Sequence, residues 1–299
     1  MTELRRIMPL PLGGEELGLP YSRGLMARAL MATGVPAHRA YALATRVGDD
    51  LTERGRGSVE LDRLQTLAVE LLGEEEGGEA VQRLRRYQEL RELDLPIVVL
   101  IGGATGTGKS TVASELAYRF GITRVTSTDF VRQTMRAFFS RAFMPSIHYS
   151  SFQAGDAFPD ADDPLEFGFL QQSRNVLVGV RASMDRAREE GWSMVLEGVH
   201  VVPGMVEPDD RDAVVVECIL TISDAAEHER HFFSRDADSE RPLSRYLERF
   251  EDIRRLQELL VDRAEGAGVP VIENENADAA AGAVADLVLD AADRVRERV

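Results

Sequence analysis

Lysine is almost missing from this chain. Of its 35 lysines and arginines, one is lysine, Lys109, so 35 − 1 = 34 are arginine. A lysine placed at random among 299 residues would fall at that position about once in 299, so the survivor marks a place that needs an ammonium group. Cysteine is as scarce. Cys218 is alone, which excludes a disulfide within the chain, and its apolar surroundings at 214–220 read as a buried strand thiol. No apolar run reaches transmembrane length, and the start of the sequence lacks a signal-peptide pattern, so a cytoplasmic protein is expected. Positive charge is in deficit. A formal net charge of −16 repels nucleic acid and anionic membranes, which argues against both as partners.

What is present suffices for one large domain or two modest ones, with 44% apolar residues to fill a core. Residues 1–92 read as a small, mainly helical domain. Arg5, Arg6, Ile7 and Met8 suggest a short strand before a turn at Gly13 and Gly14. Ser22 is placed to N-cap a helix over 23–33, stopped by Gly34. Pro36 opens a second helix to about 52, with Ala40, Leu43, Ala44, Val47 and Leu51 at helical spacing. A third spans 61–72 and ends at Gly73. The acidic stretch 74–78 reads as a solvated loop before a fourth helix over 79–93.

The texture changes at Pro96. Over 93–299, apolar runs at 97–101, 122–126, 194–196, 214–221 and 269–272 read as buried parallel strands separated by helices. That predicts an α/β domain with a parallel sheet flanked by helices. Residues 138–164 form a long irregular stretch rich in aromatics, Ser, Asp and Pro. In a compact domain such a loop is functional or disordered.

Gly103, Ala104, Thr105, Gly106, Thr107, Gly108, Lys109 and Ser110 fit G-x-x-x-x-G-K-[ST], between an apolar strand and a helix beginning near Ser110. Glycines let backbone N–H groups turn inward around phosphate oxygens, and the helix N-terminus adds partial positive charge there. Lys109 is expected to reach the β- and γ-phosphates of ATP, and the Ser110 hydroxyl to bind Mg²⁺, with Thr111 completing the nucleotide-binding stretch. The domain is therefore expected to be a P-loop NTPase fold of the kinase type.

Two carboxylates end predicted strands, where ligands of open α/β sheets gather. Asp129 is placed to orient an acceptor hydroxyl or take its proton, and equally to cap the next helix. Glu197 holds a Walker-B-like position, suited to Mg²⁺ or to the acceptor, with His200 close behind. Arg132 and Arg136 lie four apart on one helix face, a like-charge spacing that an anion such as a substrate phosphate would relieve. Arg235 and Arg241 bracket a polar turn at 236–240 and are the candidates for a lid that neutralises the transferring phosphoryl group.

Several of these stretches resemble the archaeal-type 2-phosphoglycerate kinases. They are Pro20-Tyr21-Ser22-Arg23-Gly24-Leu25-Met26-Ala27-Arg28, the run from Ile101 to Ser110, the stretch from Ser127 to Arg136, His148-Tyr149-Ser150-Ser151-Phe152, and Glu197-Gly198-Val199-His200-Val201-Val202-Pro203-Gly204. The similarity spans nearly the whole chain, and the last two runs are the more particular. It implies transfer of the ATP γ-phosphoryl group to the 3-hydroxyl of 2-phosphoglycerate, giving 2,3-bisphosphoglycerate. It adds His148, Ser150 and Ser151 to Arg132, Arg136, Glu197 and His200 as acceptor-binding candidates. It also implies that the first domain is similar to an ATP-cone, a helical module that senses nucleotides. The better-known ATP-cones carry lysine near their first strand; here Arg5 and Arg6 stand there. A related branch is associated with inositol phosphates, so another phosphorylated polyol remains an alternative acceptor. A regulatory NTPase without an acceptor is the rival from another class, and a homo-oligomer is left open.

Overall fold

The computed structural model describes residues 21–206, 212–235 and 243–298, and these fall into two compact units. The expected strand at Arg5–Met8, the Gly13-Gly14 turn, Pro20, the polar turn at 236–240 and Arg241 lie outside the described residues.

The first unit is helical. It contains α1 (Arg23–Ala32), α2 (Ala37–Arg54), α3 (Leu61–Leu72) and α4 (Glu74–Glu92), with residues 118–121 and the C-terminal stretch from 285. Ser22 caps α1 by accepting from the Leu25 N–H at 3.3 Å. Gly55, in the left-handed region at φ 63°, closes α2. Met26, Leu30, Leu43, Val47, Leu64, Leu67 and Leu84 are fully buried and form the core. Polar pins surround that core. Arg83 pairs with Asp286, Arg86 with Asp290 and Asp293, and Arg296 with Glu89. Inside the unit, Asp50 is buried against Arg63 at 2.5 Å, and that hydrogen bond holds its carboxyl below the usual range.

One sequence expectation fails here. Residues 74–78 are not a loop but the opening of α4, separated from α3 by Gly73 alone. Glu74, Glu75 and Glu76 fill the first turn, where carboxylates favour the positive end of the helix dipole. Gly77 is needed for packing: a Cβ there would lie 2.7 Å from the backbone of Ala68 and Val69 on α3.

The second unit holds a five-stranded parallel sheet in the order β2-β3-β1-β4-β5. Its elements are β1 (Ile97–Gly102), α5 (Lys109–Phe120), β2 (Val125–Ser127), α6 (Thr128–Phe138), α7 (Pro164–Glu189), β3 (Met194–Glu197), β4 (Val214–Thr221), α8 (Ala225–Arg235), α9 (Leu243–Leu247), α10 (Phe250–Ala267), β5 (Val271–Glu273) and the start of α11 (Ala277–Arg296). Strand residues that point to opposite faces, Val98 and Leu100 on one and Val99 and Ile101 on the other, are all fully buried, so the strands carry near-continuous apolar sequence. One core gathers Val98, Leu100, Met194 and Leu196 with Val176, Leu177 and Val180 of α7. A second core on that same face gathers Ile219, which pairs with Gly102, with Phe169, Phe232, Leu256 and Leu260. Cys218 is fully buried as expected, and burial pushes its thiol up to about 12.

Strand β2 starts later than its apolar run suggests. The Ile122 N–H turns back to the Ala117 carbonyl at 2.8 Å and closes the end of α5. The irregular stretch 138–164 contains two 3-10 helices, Ser146–His148 and Ser151–Ala157.

Candidate active site

Strand register sets the site. Ile101 on β1 pairs level with Glu197 on β3, and Ser127 on β2 pairs level with the same Glu197. The segments that leave these three strand ends therefore open on one edge of the sheet. From β1 comes the phosphate loop, from β2 comes Asp129, and from β3 come Glu197 and His200. The chain leaves β1 towards the β2 side and leaves β4 towards β5, so strand order reverses beside the loop, where α/β sheets bind ligands.

The loop has the form its sequence calls for. Gly103, Gly106 and Gly108 all have positive φ. Thr107 is buried, and its hydroxyl donates to the Ala104 carbonyl at 3.0 Å. Lys109 is 7% exposed, with Nζ 2.6 Å from the Ala104 carbonyl oxygen, so the ammonium is folded back over the loop. Thr105 and Thr111 flank this core of the motif, and the Thr111 N–H donates to the Gly108 carbonyl at 3.0 Å.

Ser110 Oγ donates to Glu197 Oε1 at 3.0 Å, joining the start of α5 to the end of β3. The exposed Ser110 hydroxyl and the buried Glu197 carboxylate offer only hard oxygen donors, which suits Mg²⁺. Among the described residues no group of three or more His, Cys, Asp or Glu is placed to hold a metal.

Asp129 lies one residue into α6, after Ser127 has capped the helix by accepting from the Phe130 N–H at 3.1 Å. The cap is thus serine, and Asp129 is released to face the edge of the sheet, with its side chain 52% exposed. Burial pushes the Asp129 carboxyl up, but His200, the charge and hydrogen bond of Arg132, and Lys109 together hold it below the usual range.

Arg132 and Arg136 do not act on one partner. Arg132 is buried, with Nε 3.2 Å from Asp129 Oδ1 and Nη1 donating to the carbonyls of Ile147 and Tyr149 at 3.0 and 2.8 Å. Arg136 is exposed and donates to Gln133 Oε1 at 3.0 Å. The reason is local: the 146–149 turn presents carbonyls to α6, and the inner arginine satisfies them.

His200 is fully buried, and its protonation state follows from its neighbours. Gln172 Nε2 faces the carbonyls of Ser146 and Tyr149, at 2.5 and 3.2 Å, which can only accept. Gln172 Oε1 therefore faces His200 Nε2, at 2.8 Å, and that nitrogen carries the proton. His200 Nδ1 is left to accept from the Thr128 hydroxyl at 2.9 Å. Burial lowers the His200 pKa to about 3, so the ring is a neutral strut between α6 and α7. Sequence reasoning missed Gln172. Its signal was available: it lies on the apolar stripe of α7 between Phe169 and Val176, where a polar residue needs a partner.

The 3-10 stretch brings the other candidates together. His148 Nε2 donates to the Phe139 carbonyl at 2.9 Å. Ser150 Oγ accepts from Arg245 Nη2 at 2.9 Å, and the same nitrogen reaches Gln153 Oε1 at 2.5 Å. Ser151 is buried at the start of the second 3-10 helix. Arg245 of α9 is held here by Ser150 and Gln153. Arg235 ends α8.

The chain as a whole has relatives among known proteins. No family model matches the chain. It is 39% identical over 261 residues to a 2-phosphoglycerate kinase of Thermococcus kodakarensis, covering 87% of this chain and 89% of that one. It is 37% identical over 265 residues to one of Methanopyrus kandleri (87% and 81%) and 35% over 283 residues to one of Methanococcus maripaludis (92% and 90%). A crystal structure of a gluconokinase from Sinorhizobium meliloti 1021 matches with a TM-score of 0.38 and 14% identity, over 68% of this chain and 95% of that one. With relatives at this identity over most of both chains, the protein is an ATP-dependent small-molecule kinase and belongs to the 2-phosphoglycerate kinase family.

Proposed function

We propose that the protein transfers the γ-phosphoryl group of ATP to the 3-hydroxyl of 2-phosphoglycerate, giving 2,3-bisphosphoglycerate. The observation that carries this reading is Asp129, placed on the same sheet edge as the Ser110–Glu197 pair and held by Arg132, in a chain whose relatives are named 2-phosphoglycerate kinases. Lys109 leaves the Ala104 carbonyl for the phosphates. Ser110 and Glu197 would hold Mg²⁺, which would neutralise phosphate charge. Phosphoryl transfer passes through a loose transition state, so alignment matters more than a strong base. An Asp129 carboxylate with a lowered pKa fits that demand: it fixes the direction of the acceptor hydroxyl and takes its proton late. The 146–153 segment, with Ser150, Ser151 and Arg245, forms the acceptor side of the site, and the exposed Arg136 of α6 is assigned to the acceptor phosphate.

An acceptor series tests this. kcat/KM is measured for 2-phosphoglycerate, 3-phosphoglycerate, glycerate and an inositol phosphate, with phosphorus-31 NMR of the product. The expected result is a clear preference for 2-phosphoglycerate and a product carrying phosphate on both C2 and C3. Preference for the inositol phosphate overturns the acceptor. ATP turnover that ignores every acceptor turns the reading into a regulatory NTPase.

A further inference from the structure

Three consecutive carbonyls of the phosphate loop are gripped from outside it. His228 Nε2 donates to the Thr105 carbonyl at 2.8 Å. His231 Nδ1 donates to the Gly106 carbonyl at 3.2 Å. Asn274 Nδ2 donates to the Thr107 carbonyl at 2.9 Å. The two histidines lie three apart on one face of α8. Asn274 follows β5 and is tied to the sheet by its own N–H, which donates to the Thr221 carbonyl at 2.9 Å. The preceding carbonyl, Ala104, is served differently, by Thr107 and Lys109 from within the loop.

We propose that His228, His231 and Asn274 are positioning residues that fix the peptide planes of the phosphate loop, so that its N–H groups converge on the nucleotide phosphates. The proposal rests on the loop being the nucleotide site. The physics is that of a backbone nest. Each inward N–H requires its peptide's carbonyl to point outward, and a plane free to flip would turn a carbonyl oxygen towards phosphate. Catalysis by preorganised dipoles depends on removing that freedom before the ligand arrives.

Three further observations support the grip. Gly106 has φ 93°, and a Cβ there would lie 2.5 Å from the Phe232 ring and 3.0 Å from His228 Nε2, so α8 is seated directly on the loop. His228 is committed to donation: its Nδ1 faces Arg254 Nη1 at 3.4 Å, and Arg254 is itself held by the Ile222 and Ser223 carbonyls at 2.6 and 3.0 Å. Burial, with Arg254 adding to it, lowers the His228 pKa to about 4, so the ring stays neutral. Asn274 is 3% exposed, and its Oδ1 has no hydrogen-bond partner among the described residues. A buried unpaired acceptor costs about 1–3 kcal/mol, a cost set against the hydrogen bond that Nδ2 gives the Thr107 carbonyl. The donor is the part of Asn274 that the loop uses.

The test uses the full-length enzyme and reads KM for ATP, KM for the acceptor, kcat, and Tm. His228→Phe keeps the ring packing and removes the donor, and His228→Gln restores a donor. Asn274→Leu is the second variant, independent of α8. His228→Phe and Asn274→Leu are each expected to raise KM for ATP about tenfold, the scale of one lost hydrogen bond. Acceptor KM should stay unchanged, Tm should hold within a few degrees, and His228→Gln should recover most of the loss. ATP kinetics unchanged in both variants overturn the proposal. So does a loss in which both KM values and Tm move together without rescue by His228→Gln. Lys109→Ala serves as the control for the underlying reading: if it binds ATP as tightly as the parent, the loop is not the nucleotide site, whatever the brace does.

Discussion

In the proposed nucleotide half of the site, eight consecutive residues from Gly103 to Ser110 would carry most of the chemistry. In the proposed acceptor half, Asp129, Arg132, His148, Ser150, Gln172, His200 and Arg245 come from separate stretches spread between positions 129 and 245. The first half is a backbone device, set by glycines and a helix N-terminus, and one lysine completes it. The second is a side-chain device, in which each group is aimed by another: Asp129 by Arg132, His200 by Gln172, Ser150 by Arg245. A contiguous motif takes most of its form from local conformation, so a change elsewhere, such as in the His228 and Asn274 brace, weakens it only in part. A dispersed one works only when the fold brings its parts to one edge, so a single change disturbs several groups at once.

The nucleotide half breaks most completely at Lys109. Lys109→Ala should lower kcat/KM by on the order of 10³-fold or more, as loss of a buried cation acting on the transferring group implies. Lys109→Arg should not rescue it. At 7% exposure the site is closed around a compact ammonium, and a planar guanidinium needs a wider one. Because no other lysine exists, an amine-reactive ATP analogue should label one internal site, with protection by ATP and Mg²⁺. Internal labelling that ATP does not reduce would remove the loop from the mechanism.

The acceptor half should break next at Asp129. Asp129→Asn keeps the shape and removes the charge, so kcat should fall on the order of 10²-fold with ATP affinity nearly unchanged. The pH profile sharpens the assignment. Asp129 is held below the ordinary carboxylate range, and His200 titrates near 3, so both keep one protonation state from pH 5 to 8. kcat should carry no limb from either group in that window. A limb near pH 6.5 that vanishes in His200→Gln would show that His200 titrates during turnover and is no neutral strut.

The same contrast explains what the sequence disclosed. The phosphate loop, the parallel sheet and the acidic strand ends were legible because each is written in neighbouring residues: an apolar run, a glycine spacing, a carboxylate at the run's end. Partners were not. Nothing near Arg132 announces that the carbonyls of Ile147 and Tyr149 will reach it, since they belong to a turn without periodic pattern. The brace on the loop was hidden for the same reason, because His228 and Asn274 lie far along the chain from Thr105 and Thr107. The opening of α4 was misread for a different one. Two glycines after three glutamates suggest a loop, and only the close approach of α3 shows why Gly77 belongs in a helix.

The smallest expected effects separate Arg132 from Arg136, two residues of one helix that sequence treats alike. Arg132 is 5% exposed at the side chain and serves Asp129 and two carbonyls. Arg132→Ala removes a hydrogen-bonded cation from a buried place and should cost about 2–4 kcal/mol of stability, seen as a lower urea midpoint. kcat should fall with it, because Asp129 loses its aim. Arg132→Lys should recover little, since one ammonium does not reproduce the fixed fork of a guanidinium. Arg136, exposed and bonded to Gln133 on its own helix, should contribute almost nothing to stability. On the proposed reading it borders the acceptor phosphate in water, where an exposed ion pair is worth about 0–1 kcal/mol. Arg136→Ala should therefore raise acceptor KM only a few-fold, with kcat and the urea midpoint unchanged. A rise of tenfold or more would mean that this arginine closes on the acceptor in a dry contact. One element of the acceptor half would then have been readable from the spacing of two arginines after all.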